Sequence, residues 1–151
     1  LLMTASGCHI LSAIRELIGL PKAIRSAVVS PNGMQFSLVF EYDNFNMVFE
    51  EMNDQEIVEF DEAIEIYQGD RKMLLEYDTP YIRYLPSKLT VSELDCGQAK
   101  TTVYGPHYHD MFANELLEFY RCVTTHDTPK CDVFDAAEDV KLYIDVAKMM
   151  K

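Results

Sequence analysis

The spacing of apolar residues changes once near the start of the chain, and this change limits the folds that the chain can adopt. In GCHILSAIRELIGLP, apolar side chains recur every three or four residues, as on one face of a helix, and Gly19 and Pro21 end the pattern. In MQFSLVFEY, every second residue is apolar, as in a strand with one buried face. The sequence therefore predicts a helix followed by a sheet.

Turn signals divide the middle of the chain into short strands. Asp43 and Asn44 both tolerate the positive φ of a two-residue hairpin turn, so FNMVFEEM should return antiparallel to MQFSLVFEY. Gly69 and Asp70 separate EAIEIYQ from KMLLEY in the same way, and KLTVSEL and KTTVY are further strand candidates. These segments predict an antiparallel meander.

Two helices are predicted at the end of the chain. YHDMFANELLEFYRCV carries a helical apolar stripe, and a second helix follows Asp132 as its N-cap, with Pro129 between the two. The order of elements predicts an α+β fold, an open and mostly antiparallel β-sheet with helices packed on one face. The length, and the lack of a repeat or linker, predict a single domain over residues 1–151.

Composition excludes several classes of function. A net charge of −12 argues against binding nucleic acid, which requires clustered Lys and Arg. No apolar run approaches the roughly 18 residues of a membrane span. Four cysteines without a C-x-x-C pair suggest reduced thiols and a cytoplasmic location rather than zinc or disulfides. No G-x-G-x-x-G motif is present, so no cofactor-binding residues are predicted within the chain.

Histidines are the main candidates for chemistry. His9 lies in the first turn of the predicted helix, where the helix dipole favours a neutral imidazole able to accept a proton; an ordinary hydrogen-bonded residue at a helix start is the alternative. His107 and His109 would share a face if extended and could chelate a metal, but no third ligand is evident, so we expect them to line a loop and predict no metal site.

Two further patterns concern surfaces. The acidic run from Glu50 to Glu65 lacks the spacing of a calcium loop, and we interpret it as a solvated face or edge of the sheet. The Phe and Met residues from Met34 to Phe49 would form a broad apolar face. If the helices cannot cover that face, we expect it to be buried against a second subunit or domain.

Three segments in order resemble the C-terminal domain of Gfo/Idh/MocA oxidoreductases, the glucose–fructose oxidoreductase and inositol dehydrogenase group. The first resembles their G-x-H…R-x-L-x-G-x-P segment and runs from Gly7 to Pro21. FDEAIEIYQGDRKMLLEYDTP resembles a hairpin segment of that family, although its usual second glycine is absent near Arg71 and Lys72. The third, from Met111 to the end, is similar to the F-x-x-E-L-x-x-F…P…D-A…L-x-I-x-x-A ending of the family.

The resemblance implies an NAD(P)-dependent dehydrogenase that acts on a sugar or polyol-like substrate. In that family, this domain forms the substrate-side wall and often the subunit interface, which implies a homo-oligomer formed through the sheet face. NAD or NADP is bound by an N-terminal Rossmann domain that these residues do not include. The opening LLMTASG does not look like a natural start, so we expect a piece of a longer chain that is inactive alone and binds no nucleotide.

The resemblance also assigns candidate site residues. The family has a D-x-x-x-H pair whose histidine exchanges a proton with the substrate, and His9 matches that histidine while Ala5 stands where the family has aspartate. Tyr104, His107 and His109 are predicted substrate contacts, because a polar, aromatic-rich loop precedes a helix here. The alternative is a non-catalytic dimerisation or regulatory module of the same fold, which the missing aspartate favours.

Overall fold

The computed structural model describes residues 7–53, 56, 59–79, 81–108 and 110–150. Contacts divide the chain into two compact units. Unit 1 comprises Leu1–Ile57 and Lys130–Lys151, and unit 2 comprises Val58–Pro129. Whether the two units together form the single domain predicted over residues 1–151 stays a prediction.

Unit 1 contains two helices and three strands. Its elements are α1 (Gly7–Ile18), β1 (Ala23–Val29), β2 (Gln35–Glu41), β3 (Asn46–Met52) and α3 (Val133–Met149). The strands form an antiparallel sheet in the order β1-β2-β3. The Tyr42 N–H donates to Phe45 O across the turn between β2 and β3, which confirms the predicted hairpin at Asp43 and Asn44. Gly19 has a φ of +80° just after α1, which confirms the predicted end of that helix.

The core of unit 1 forms on one face of its sheet. The alternation in β2 turns Phe36, Leu38 and Phe40 to the same side, and all three are buried. They are joined by other buried side chains from α1, β3 and α3: Leu11, Ile14, Phe49 and Val146. Because α3 packs on both β1 and α1, the apolar stripe in MQFSLVFEY is covered within the unit, and its burial does not require a second subunit.

Unit 2 contains four strands and one helix. Its elements are β4 (Glu62–Gln68), β5 (Arg71–Tyr77), β6 (Ser87–Asp95), β7 (Gln98–His107) and α2 (Met111–Thr125). The strands pair antiparallel in the order β4-β5-β6-β7, which confirms the predicted meander and its hairpin at Gly69 and Asp70. The carboxylate of Asp110 accepts the Ala113 N–H at 3.1 Å and caps α2, a cap that we did not predict.

The predicted α+β class is confirmed, and every strand pairing is antiparallel. Hydrogen bonds join the described strands into two sheets, of three and four strands, instead of one open sheet. Within the parts of unit 2 that are described, Cys122 is the only buried residue. No helix among the described residues is long and apolar enough to cross a membrane.

Candidate functional site

An open cleft of about 540 Å³ lies between α1 and α3 of unit 1. Helix α1 lines one side with residues from its first to its third turn, among them Cys8, His9, Ser12, Arg15 and Glu16. The other side consists of residues of α3 and of the segment before it, among them Lys130, Cys131, Asp135, Asp139 and Tyr143. The lining therefore combines hydroxyl, carboxylate, ammonium, guanidinium and imidazole groups.

An ion-pair cluster crosses the cleft from α1 to α3. Arg15 donates from Nη1 and Nη2 to the two carboxylate oxygens of Asp135 at 2.8 and 2.7 Å, and from Nε to Asp139 at 2.6 Å. The side chains of Arg15 and Asp139 are only 12% and 10% exposed. Hydrogen bonds from Arg15 hold the pKa of Asp135 below its ordinary value. The guanidinium is thus occupied by carboxylates, so we assign it to holding the helices together.

Tyr143 forms a second link between the same two helices. Its hydroxyl donates to the backbone carbonyl of Cys8 at 3.0 Å. Partial burial raises the pKa of Tyr143 above its ordinary value, and the negative charge of Asp139 raises it further. The phenol therefore remains a protonated donor throughout the physiological pH range.

His9 is the third residue of α1, and its side chain is exposed to the cleft. It makes no hydrogen bond or ion pair with the part of the chain that the structure describes. The structural alternative, a histidine held by hydrogen bonds at a helix start, has no such bond to support it among these residues. Among the described residues, none is hydrogen-bonded to either imidazole nitrogen, and the side chain lines the cleft.

Two of the other predicted site residues, Tyr104 and His107, are described in unit 2. They are paired with Leu89 and Ser87 as part of β7. The strand predicted at KTTVY, which includes Tyr104, is confirmed, and the prediction that His107 lines a loop was wrong, because the strand continues to His107 through Gly105. A Cβ atom on Gly105 would lie 2.9 Å from Ser87 O, so only glycine fits this close pairing.

Tyr104 and His107 are both exposed, so either could contact a ligand, and their role as substrate contacts stays a prediction. His109 and Ala5 lie outside the described residues. Across the described ranges, no group of three His, Cys, Asp or Glu side chains is arranged to hold a metal ion.

Sequence reasoning missed the residues of α3 that face the cleft. Asp135, Asp139 and Tyr143 are spaced four residues apart, which places them on one face of a helix. Two acidic residues on a predicted helix, with a single arginine on another, are a signal for an interhelical ion pair. The sequence alone could not show which helices meet.

Comparison with known proteins gives information about the fold. No known family profile matches the chain, and no curated protein sequence is significantly similar to it. Among solved structures, the chain is similar to the putative oxidoreductase YvaA from Bacillus subtilis, with a TM-score of 0.73 and 11% sequence identity. The match covers 98% of this chain and 49% of YvaA, so the chain spans about half the length of that protein. At this identity, the similarity shows the fold alone.

Proposed function

We propose that this chain is the substrate-side domain of a dehydrogenase that acts on a sugar or polyol-like substrate. His9 exchanges a proton with the reacting hydroxyl or carbonyl group of the substrate. NAD or NADP would be held by a Rossmann domain outside these residues, and there it would supply or accept the hydride. The observation that carries the proposal is the position of His9, which is exposed in an open cleft, in a chain whose fold is similar to about half of the putative oxidoreductase YvaA.

The cleft has properties that suit a small polyhydroxylated molecule. Its volume of about 540 Å³ lies within the range of about 300–1,000 Å³ typical of small-molecule sites. Ser12, Glu16 and Lys130 offer a hydroxyl, a carboxylate and an ammonium group to substrate hydroxyls. Glu16 and Lys130 pair with each other at 3.1 Å while both remain more than half exposed, so water or a substrate hydroxyl can replace that contact.

The outer face of the sheet in unit 1 supports the proposed homo-oligomer. Val28, Val48 and Met52 lie on the face opposite the core and are 61%, 64% and 63% exposed. Ser37 and Glu50, which hydrogen-bond to each other, lie on the same face among these apolar side chains. Exposed apolar side chains are stabilised when a second protein surface covers them. We therefore propose that two copies of the protein associate through this face.

The test is a histidine substitution in the complete gene product. Reduction of NAD⁺ and NADP⁺ is followed by absorbance with a panel of sugars and polyols. For His9→Ala we expect kcat to fall by roughly 10²-fold or more, because a general acid–base group contributes about this factor. His126→Asn is the matched control, since His126 ends α2 in unit 2 with a left-handed backbone that asparagine also adopts. Turnover of His9→Ala within two-fold of wild type would exclude the proposed role of His9.

A non-catalytic module is the second candidate, and Ala5 in place of aspartate favours it. Calorimetry with NADH and NADPH separates the two proposals. We expect the 151-residue chain to show no micromolar binding, and we expect the complete gene product to bind one of the two nucleotides. If the complete gene product binds neither, the dehydrogenase proposal fails and the module is favoured.

A further inference from the structure

We propose that Tyr143 is a positioning residue for His9, an inference that rests on the proposed function of His9. The two residues are far apart in sequence and belong to α3 and α1, but both line the same cleft. Tyr143 does not bind the imidazole. It acts through the backbone of α1, next to the residue that carries out the proton transfer.

The hydrogen bond of Tyr143 is placed at the residue before His9. The Tyr143 hydroxyl donates to Cys8 O at 3.0 Å, in the first turn of α1. The first turn is the part of a helix that frays most readily, because its N–H groups have no partners within the helix. A bond from α3 to this turn therefore restrains the segment that would otherwise let the imidazole move.

Arg15 provides a second link between α1 and α3, farther along α1 than the hydrogen bond from Tyr143. Its bonds to Asp135 and Asp139 lie seven residues after Cys8, which is about 10 Å along the helix axis at 1.5 Å per residue. Two links separated by this distance fix both the position of α1 along α3 and its rotation about its own axis. Without the Tyr143 bond, the start of α1 is held by the packing of Leu11, and no described hydrogen bond to α3 acts within its first turn.

The phenol is suited to this task by its surroundings. The Tyr143 ring is partly buried between the helices, and Asp139, one turn earlier on α3, is the charged group that acts on it most strongly. Both features keep the hydroxyl protonated and able to donate. Phenylalanine would keep the packing of the ring and remove only the donor.

The expected effect follows from the geometry of proton transfer. A general acid or base must come within about 2.6–3.2 Å of the group with which it exchanges a proton. A displacement of about 1 Å lowers the rate by up to roughly 10²-fold. Because Leu11 and the bonds of Arg15 still hold α1 when the Tyr143 bond is lost, the displacement should be smaller than this, and we expect an effect of about 10-fold.

The experiment compares Tyr143→Phe with Tyr120→Phe in the complete gene product. Tyr120 is exposed in unit 2 and forms no part of the cleft. We expect Tyr143→Phe to lower kcat by about 10-fold, to leave the KM for the nucleotide within two-fold, and to lower Tm slightly; Tyr120→Phe should change none of these. A lower Tm with an unchanged kcat, measured well below both melting temperatures, would show a structural role alone and overturn the proposal.

A double-mutant comparison separates this inference from the proposed function. If Tyr143 acts through His9, the variant with both His9→Ala and Tyr143→Phe is no slower than His9→Ala alone. If the two losses multiply instead, Tyr143 acts by another route and the proposal fails.

If His9→Ala retains wild-type turnover, the proposed function has failed, and the positioning is tested by NMR on the 151-residue chain. Tyr143→Phe should then shift or broaden the imidazole signals of His9 and leave those of His126 unchanged. If the imidazole signals of His9 are the same in Tyr143→Phe and in the wild type, Tyr143 does not position His9.

Discussion

The two sheets of this protein consist of similar strands, yet among the described residues only the sheet of unit 1 has completely buried side chains. In β2 of unit 1, Leu38 and Phe40 are completely buried, whereas in β5 of unit 2 every residue from Lys72 to Tyr77 is half-buried. The difference is that α1 and α3 cover one face of the sheet in unit 1. Alternation in a strand therefore determines which side chains share a face, and a packing partner determines whether that face is buried.

Two arginines show the same contrast in their ion pairs. Arg15 in unit 1 and Arg121 in unit 2 each contact both oxygens of one carboxylate, that of Asp135 and that of Glu118. The side chain of Arg15 is 12% exposed, and that of Arg121 is 48% exposed. The two arginines contact their carboxylates with the same geometry, but water screens the Arg121–Glu118 pair more than the Arg15–Asp135 pair. We therefore expect the two pairs to differ in their contribution to stability.

The largest expected effect tests the difference between the two sheets. Leu38→Ala should lower the free energy of unfolding by about 3 kcal/mol, because it opens a cavity in a packed core. Leu94→Ala is the matched variant in β6 of unit 2, where the leucine is 59% exposed, and it should cost less than about 1 kcal/mol. Urea denaturation measures both values. Equal losses would show that Leu94 is buried in the folded protein in solution.

The next largest difference in the free energy of unfolding is expected between the ion pairs of Arg15 and Arg121. Arg15→Met should lower the free energy of unfolding by about 2–3 kcal/mol, because it leaves the carboxylate of Asp139 without its partner in a largely buried position. Arg121→Met should have a much smaller effect, since its partners remain solvated. Urea denaturation at high salt tests the explanation, because only the Arg121 pair is open to screening. A loss for Arg121→Met that matches that for Arg15→Met would contradict the comparison.

The pH dependence of stability sharpens the same contrast. Since the pKa of Asp135 is lower in the folded state than in the unfolded state, its stabilising effect is present above about pH 4 and is lost as the pH falls towards the folded pKa. The stability difference between wild type and Asp135→Asn should therefore shrink below about pH 4. The measurement is a series of urea denaturations from neutral to acidic pH.

The smallest expected effect is a raised tyrosine pKa, which we expect in both units. Burial raises the pKa of Tyr143 in unit 1 and of Tyr77 in unit 2, with Glu62 adding to the shift of Tyr77. Each phenol then contributes stability that is complete below about pH 10 and is lost as the pH rises further. Ultraviolet titration should show that Tyr143→Phe and Tyr77→Phe each remove one late-titrating group. If only Tyr143→Phe does so, Tyr77 is more exposed in solution than in this structure.

The sequence predicted the local structure of the chain better than its contacts. The stop at Gly19, the hairpin turn at Asp43 and the N-cap at Asp132 were predicted correctly, because each depends on backbone preferences within a few residues. The division of the strands into two sheets was not predicted, because strand pairing depends on which distant segments meet.

The candidate site was predicted only in part. His9 was predicted from its place in a short motif, and the structure shows that its side chain is exposed in a cleft. Tyr104, His107 and His109 were chosen because a polar, aromatic-rich loop was expected before a helix, but β7 continues to His107. The partners of Arg15 lie 120 and 124 residues away in sequence, a separation over which local patterns carry no information.

Helix α1 is held at both ends by tyrosines that donate to backbone carbonyls: Tyr143 to Cys8 O, and Tyr42 to Gly19 O at 3.2 Å. Every amino acid has a backbone carbonyl, so these two bonds do not depend on the side chain at the accepting position. During evolution, the residues that α1 presents to the cleft can therefore change without loss of the anchors at its ends. A protein built in this way can acquire a different substrate preference through substitutions in one helix whose position is maintained by the rest of unit 1.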